Sequence, residues 1–360
     1  MRTDASGLAC LASGRDGWRH RVPRATSVLA LLALATGCAT TGGGEAGGGV
    51  AAVSFADPLP RSGATTILIA MPTFADFVDV RRGLVTEIQK NFNVTTLAVT
   101  PETTVAQLGA AIERTSPACV VLMNNVTVNL YRQYQESKGT ATIPPAVVVM
   151  SSFLEKLRVT LPHSTGIAYE VPGVTAFRNL RSIINSPVRK VGVVFRPAFK
   201  EYIDRQKELA AAEQIELVAV EVSKEVSADE LRAAIMSLGE KSKVDALWML
   251  NDNGLIRDGR FLDETWRPAL RAVKLPLIVG LPNLVDPLSP LGTLAVVPDH
   301  ETLGLQTANL IFDVADDAWR VEDHAIELPL SVKTVVDVKQ AREHFGLQPD
   351  ALRHIDRVAE

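Results

Sequence analysis

The segment "VDALWMLNDNG", residues 244–254, is the part of the sequence that best indicates the fold. Seven mostly apolar residues run directly into Asn251, Asp252 and Asn253, without alternation between polar and apolar positions. A short apolar run of this kind is typical of a strand that is buried on both faces of a parallel sheet. The three polar side chains would lie at the carboxyl end of that strand, so the question is what they face.

Segments of the same kind recur along the chain from Thr65 onward, and amphipathic stretches with helical spacing lie between most of them. One such stretch starts with Ser227 and Glu230 in the spacing of a capping box, and we expect it to end at Gly239. Alternating strands and helices predict a doubly wound α/β fold with helices on both faces of a parallel sheet. The predicted strands are "TTILIAM" (65–71), "VTTLAV" (94–99), "ACVVLMNN" (118–125), "PAVVVMSS" (145–152), "VGVVFR" (191–196), "ELVAVEV" (216–222), "VDALWMLN" (244–251) and "LPLIVGL" (275–281).

The middle of the chain interrupts this alternation and predicts a division into two lobes. A strand ends at "YEVPG", residues 169–173, a helix follows from about Thr175 to Ile184, and a new β-α-β series opens at Lys190. We therefore expect two α/β lobes that are joined by crossovers and separated by a cleft. The expected boundaries are a leader at 1–37, a tether at 38–62, a first lobe at 63–172 plus 283–320, a second lobe at 173–282 plus 321–347, and a tail at 348–360.

The leader contains four arginines between positions 15 and 24, followed by "SVLALLALATG", residues 27–37, which is too short to span a bilayer. Small residues then precede Cys38, an arrangement that resembles the lipobox of bacterial lipoproteins, whose cysteine carries the lipid. The alternative is an ordinary signal peptide with an incidental cysteine. The segment 39–54 contains a formal match to a dinucleotide-binding fingerprint but lacks the flanking strand and helix, so we interpret it as a flexible tether.

Composition excludes several classes of function. Hydrophobic residues make up 47% of the 360 residues and charged residues 22%, as in globular proteins, and the net charge of -4 argues against nucleic acid as a partner. The six histidines are scattered without zinc-ligand spacing, and His300 fits the start of a helix better than a general base. No nucleophile elbow is present, and Cys119 lies in an apolar run that fits the core. We expect no catalytic residues, no metal and no cofactor.

The segment "TGIAYEVPGVTAFRNLRSIINSPVRKVGVVFRPAF", residues 165–199, resembles the tryptophan- and tyrosine-binding type of ABC-transporter substrate-binding proteins. In that family a Thr-Gly strand, a helix ending near a proline and a "kvGvlynP"-like strand follow one another, and Gly166, Pro187, Gly192 and Pro197 hold those places here. The likeness extends over roughly residues 65–347. It implies a type 1 periplasmic-binding-protein fold, in which each lobe is a parallel sheet flanked by helices and the lobes close on a ligand.

Three departures from the family lie at expected cleft positions, so the family's ligand is not carried over. Asn251 stands where the family usually has threonine, "MSSFLE" (150–155) replaces an "sDPv"-like turn, and Arg196 replaces an amide.

Polar and aromatic residues at the strand ends are the candidate ligand contacts, because ligands of open α/β sheets bind beyond the carboxyl ends of the strands. Arg196 offers a bidentate contact to a carboxylate, or it is an exposed rim residue. The asparagines, serines and aspartate either contact a ligand or cap the helices that follow, and Tyr169 either stacks on a ligand or forms a wall of the hinge. The candidates are Asn124, Asn125, Ser151, Ser152, Tyr169, Arg196, Asn251, Asp252 and Asn283.

Three functions remain open at this point. The first is a monomeric, lipid-anchored receptor that closes on a small polar ligand and presents it to an ABC permease. The second is a sensor that reports ligand occupancy without transport. The third is an envelope scaffold that binds a partner protein, and a filled or apolar cleft would favour it. We expect the chain to face the periplasm from the inner or the outer membrane.

Overall fold

The computed structural model describes residues 55–139, 143–285 and 291–359, all within one compact unit, Ala51–Glu360. The leader, Cys38 and most of the tether lie outside the described residues, so the predictions made for them stay predictions. The described residues form two α/β lobes, each a sheet with helices on both faces. All eight strands predicted from the sequence are present.

The first lobe is built on a five-stranded parallel sheet. Its strands are β1 (Thr66–Met71), β2 (Asn93–Ala98), β3 (Cys119–Met123), β4 (Ala146–Val149) and β5 (Ser164–Gly166), in the order β2-β1-β3-β4-β5. Its helices are α1 (Ala75–Ile88), α2 (Val105–Thr115), α3 (Asn125–Lys138), α4 (Leu154–Arg158) and, much later in the chain, α11 (His300–Asp316).

The second lobe is built on a seven-stranded sheet. Its strands are β6 (Lys190–Phe195), β7 (Glu216–Glu221), β8 (Ala246–Trp248), β9 (Leu277–Val279), β10 (Leu294–Pro298), β11 (Val332–Asp337) and β12 (Arg357–Ala359), in the order β12-β11-β10-β9-β8-β6-β7. Neighbouring strands are parallel except β10 and β11, so β11 and β12 run antiparallel to the other five strands. Its helices are α5 (Gly173–Ile183), α6 (Lys200–Ala212), α7 (Ala228–Glu240), α8 (Asn253–Ile256), α9 (Gly259–Phe261), α10 (Arg267–Val273) and α12 (Val338–Gln340). Short 3-10 segments cover Pro197–Phe199, Pro282–Val285 and Ala351–His354, and π-helical segments cover Leu262–Trp266 and Ala341–Phe345.

The segment 244–254 shows why the strands lack polar alternation. Trp248 and Leu250 point into one apolar core of the second lobe, whereas Leu247 and Met249 point into the core on the opposite face. Because successive side chains of a strand alternate between faces, a strand covered by helices on both sides needs apolar residues at every position. The polar residues of this segment begin where the strand leaves the two cores.

The lobe boundaries near the end of the chain differ from the expected ones. We expected residues 283–320 to complete the first lobe, but β10 pairs with β9 and β11 inside the second sheet. From this segment, α11 and Trp319 just after it pack on the first lobe, where Leu303 and Ile311 join its core and Trp319 packs against it. The expected tail contributes β12, which pairs with β11 at the edge of the second sheet.

Three connections between the lobes lie within the described ranges, at residues 167–172, at Asp299 and at residues 317–331. The first and third run side by side: the Ala168 N–H donates to the Glu327 carbonyl at 2.9 Å, and the Glu327 N–H donates to the Gly166 carbonyl at 3.0 Å. These connections are the places where a hinge motion between the lobes would take place.

Helices α1 and α11 touch backbone to backbone. A Cβ at Gly83 would collide with the Glu301 carbonyl oxygen, and a Cβ at Gly304 would collide with the Val80 carbonyl oxygen. Both positions therefore require glycine, because any other side chain would push the two helices apart.

The start of α7 agrees with the predicted capping box only in part. The Ser227 hydroxyl accepts from the Glu230 N–H at 3.1 Å, but the Glu230 carboxylate accepts from Ser223 instead of reaching back to Ser227. The helix also runs past Gly239 to Glu240, so the predicted end was wrong. A Cβ at Gly239 would press on Val273, which shows that this glycine serves helix packing.

Candidate functional site

A cavity lies at the carboxyl ends of β8, β9 and β10, where the second lobe faces the first lobe and the crossover at 167–172. Its free volume is about 30 Å³, far below the roughly 300–1,000 Å³ of sites that enclose drug-sized ligands. The lining is mainly apolar and aromatic, with few polar groups, as in small-molecule sites. The residues that decide its chemistry are Phe153, Tyr169, Glu170, Tyr202, Trp248 and Asn251.

Phe153, from the first lobe, lines the cavity and contacts aromatic rings of the second lobe. Its ring centroid lies 4.4 Å from that of Phe199 and 5.4 Å from that of Tyr202, both in the second lobe. Tyr202 continues the series of rings to Trp248 at 6.2 Å. Phe153 has φ +57° just before α4, a left-handed conformation that is unfavourable for a residue other than glycine. Aromatic contacts thus hold the lobes together where a ligand would otherwise lie.

Glu170 brings a carboxylate into this aromatic cavity from the crossover at 167–172. Its Oε1 accepts from the Phe153 N–H at 2.9 Å. Burial raises the pKa of Glu170 to about 7, and the charge of nearby Glu155 contributes to the increase. No basic side chain among the described residues counters this shift. Glu170 is therefore a partly buried acid without a counter-charge.

Arg196 and Asp252, two of the predicted contacts, bind each other. The guanidinium engages both carboxylate oxygens, at 2.7 and 2.5 Å, and Asp252 is only 2% exposed. Asp252 also accepts from the Gly254 N–H at 3.0 Å and caps α8. A Cβ at Gly254 would collide with the guanidinium, so the glycine leaves room for this pair. Neither member of the pair is among the described residues that line the cavity.

The polar side chains at the strand ends of the first lobe also have hydrogen-bond partners within the protein. Asn124 has φ +84° and caps α3, accepting from the backbone N–H groups of the next turn at 2.9 and 3.0 Å. The Asn125 side-chain oxygen accepts from the Ser151 hydroxyl at 2.5 Å and from the Ser152 N–H at 2.9 Å. The capping alternative therefore accounts for Asn124. Contact of these four residues with a ligand stays a prediction.

Of the nine predicted contacts, Tyr169 and Asn251 are the two that line the cavity. The Asn251 amide donates to the Gly280 carbonyl at 3.4 Å, a long hydrogen bond that leaves its oxygen for other partners. Asn283 is exposed in the 3-10 segment Pro282–Val285 and does not belong to the described lining.

Tyr169 connects the cavity to the first lobe through a buried histidine. Its hydroxyl lies 3.1 Å from His300 Nε2, and His300 Nδ1 lies 3.5 Å from Asp76 Oδ1. The hydrogen bond to His300 lowers the pKa of Asp76, whereas burial raises the pKa of Tyr169. His300 begins α11, as predicted, and Asp299 caps that helix by accepting from the Glu301 N–H. The Tyr169 phenol stays neutral, so this chain of bonds fixes the hinge and supplies no nucleophile.

Sequence reasoning missed Glu170 and Phe153 as parts of the site. Glu170 had a usable signal, because it is the one charged residue in the otherwise apolar "IAYEVPG", residues 167–173. Phe153 had none, since its position depends on a left-handed turn and on rings from a distant segment.

The described residues contain no group of three or more histidine, cysteine, aspartate or glutamate residues arranged to hold a metal ion. Nor does any helix in the described ranges have the length and apolar character needed to cross a membrane.

No protein-family model and no curated protein matches this sequence. The chain is similar, however, to several solved structures. A conserved domain protein from Vibrio cholerae aligns with a TM-score of 0.56 at 16% identity, covering 82% of this chain and 99% of its own. A protein from Streptococcus pneumoniae, described as an ABC domain in complex with L-Trp, has a TM-score of 0.54 at 16% identity, covering 82% and 100%.

A third structure is the ligand-free, open form of a substrate binding protein with adhesive properties from Clostridium difficile. It has a TM-score of 0.60 at 13% identity and covers 82% of this chain and 99% of its own. At these identities the comparisons show the fold: the chain has the two-lobed type 1 periplasmic-binding-protein fold that the sequence resemblance implied.

Proposed function

We propose that the chain is the solute-binding protein of an ABC transporter, anchored by lipid at Cys38 and facing the periplasm. It binds a small ligand between its lobes, closes by a hinge motion at the connections at 167–172, 299 and 317–331, and presents the ligand to a permease. The observation that supports this proposal most strongly is the cavity at the strand ends. Rings from both lobes meet there, beside the polar groups of Glu170 and Asn251.

The proposal does not include catalysis. Tyr169 and His300 are hydrogen-bonded to each other, and Arg196 and Asp252 form an ion pair with each other. A receptor needs only groups that hold a ligand and a hinge that responds to it, and the lining of the cavity supplies the first of these.

A scaffold that binds a partner protein is the second candidate. The small free volume of the cavity supports it, because a filled cleft is what we expect from a fold that has lost its solute site. One solved structure of this fold is described as a substrate binding protein with adhesive properties, so substrate binding and adhesion are described together for that protein. A sensor without transport would use the same ligand site as the receptor.

Thermal shift and tryptophan fluorescence of the purified protein against amino acids, amines, nucleosides and small carboxylates would test the receptor. We expect one ligand class to raise the melting temperature by several degrees, since a ligand that binds only the folded state stabilises it. Emission should change as well, because Trp248 lines the cavity.

The variant Asn251→Ala should lose the response, whereas Asn283→Ala, an exposed asparagine outside the described lining, should keep it. A library without any hit, together with capture of a partner protein by the intact chain, would replace the receptor with the scaffold.

A further inference from the structure

Glu170 is the only residue with a formal charge among the described residues that line the cavity. Only its Oε1 has a hydrogen-bond partner in another described residue, the Phe153 N–H. An ionised carboxylate accepts about four hydrogen bonds, so most of the acceptor capacity of Glu170 is left for a ligand. The charge and the bonding of the cavity therefore favour a donor with a positive charge.

The nearby basic side chains are committed to other partners. Arg196 binds Asp252 and donates to the Lys224 carbonyl at 3.0 Å. Lys156 donates to the Ala198 carbonyl at 3.1 Å, and its Nζ lies 5.0 Å from the centroid of the Phe199 ring. Neither side chain neutralises Glu170. A buried carboxylate without a counter-charge is unfavourable, so a cation entering the cavity would relieve that cost.

The rings around Glu170 attract the same kind of ligand. Tyr202 and Trp248, whose ring centroids lie 6.2 Å apart, also line the cavity, and the face of an aromatic ring attracts a cation electrostatically. A carboxylate ligand would meet the charge of Glu170 and the aromatic rings, and it would find no free cation among the described lining residues. Rings and carboxylate thus select for the same sign of charge.

We propose that the cleft is selective for an organic cation, a small amine with an apolar or aromatic body, whose ammonium group binds Glu170 beside the rings of Tyr202 and Trp248. This inference rests on the proposed function as a solute receptor. It replaces the expectation that Arg196 clamps a carboxylate, because Arg196 is already bound to Asp252.

The body of the amine takes the place that the Phe153 ring now fills. The turn that carries this ring has two residues other than glycine in the left-handed region, Met150 at φ +58° and Phe153 at φ +57°. Movement of the turn at residues 150–153 away from the second lobe relieves an unfavourable backbone conformation and opens the cavity. Phe153 is thus an internal substitute for the ligand, held until an amine displaces it.

Isothermal titration calorimetry at pH 8.5 with phenethylamine, choline, 3-phenylpropionate and L-tryptophan tests this inference. Phenethylamine should bind more tightly than 3-phenylpropionate, which has the same ring and the opposite charge. Glu170→Gln should weaken phenethylamine by about 20-fold or more, in line with the loss of a charge-assisted hydrogen bond. The matched control Glu155→Gln, which removes an exposed carboxylate from α4, should change affinity less than about 2-fold.

The variant Phe153→Ala provides a second background in which the cavity is larger, and there phenethylamine should bind several-fold more tightly. Tighter binding of 3-phenylpropionate than of phenethylamine, or equal affinity of the wild-type protein and Glu170→Gln for phenethylamine, overturns the cation inference and leaves the receptor standing. If neither the wild-type protein nor Phe153→Ala binds any of the four compounds, the cation inference falls. The wider ligand library then decides separately whether the receptor falls with it.

Discussion

Asp252 and Glu170 are two carboxylates close to the strand ends of the second lobe, and they differ in what surrounds them. Asp252 meets two nitrogens of a guanidinium and a backbone N–H, so its charge is compensated within the protein. Glu170 meets one backbone N–H from another residue and no cation within the described chain. A buried charge with its own partner thus belongs to the structure, whereas one without a partner is available for binding.

Breaking the compensated pair should have the largest effect on stability. Arg196→Met leaves Asp252, which is 2% exposed, without its cation, and this should lower the free energy of unfolding by roughly 3 to 5 kcal/mol. Urea denaturation followed by circular dichroism measures the change. Arg260→Met, which breaks an exposed pair with Glu264, is the control and should leave the midpoint unchanged. Similar midpoints for the two variants would show that Asp252 does not depend on Arg196.

Glu170→Gln should act in the opposite direction and only at high pH. The folded protein holds a proton on Glu170 up to a pKa of about 7, whereas an unfolded glutamate loses it near 4.5. Between about pH 4.5 and 7 the unfolded chain has lost this proton while the folded protein still holds it, so stability falls progressively over that range. The variant should be more stable than the wild-type protein by about 2 to 3 kcal/mol at pH 8.5 and equally stable at pH 4. Urea denaturation at both values measures this, and a constant difference would contradict it.

Tyr169→Phe should have the smallest of the three effects. The variant keeps the ring against His300 but loses the hydroxyl that lies 3.1 Å from Nε2. The loss of one hydrogen bond in a buried position should cost about 1 kcal/mol in the free energy of unfolding. The same denaturation experiment measures it, and an unchanged midpoint would mean that His300 is held by Asp76 alone.

Most of the fold could be predicted because the strands are covered on both sides. Full coverage requires uninterrupted apolar runs, and these stand out in the sequence between amphipathic helices. The assignment of residues 283–320 to the first lobe was wrong for a physical reason. The apolar composition of β10, which lies in this segment, suits either sheet, and the choice depends on pairing with β9 and β11, which no local pattern contains.

The site was less predictable, because its chemistry depends on partners that are distant in the sequence. Arg196 looked like a free cation, and Asp252, 56 residues away, neutralises it. Asn124 and Asn251 look alike as polar residues after a strand, yet one caps a helix and the other lines the cavity. Local sequence indicates which residues stand at strand ends. The tertiary structure decides which of them are left for a ligand.

The contact of α1 with α11 through Gly83 and Gly304 has a mechanical consequence. Because no layer of side chains separates the two helices, α11 cannot roll or slide on α1 without a clash of backbones. Yet α11 follows β10 of the other lobe after a single residue, Asp299. Rotation of one lobe against the other must be absorbed almost entirely by the torsion angles of that residue and of the two longer connections. The glycine pair thus fixes α11 to the first lobe. Movement of the second lobe is confined to bending at Asp299 and at the two longer connections.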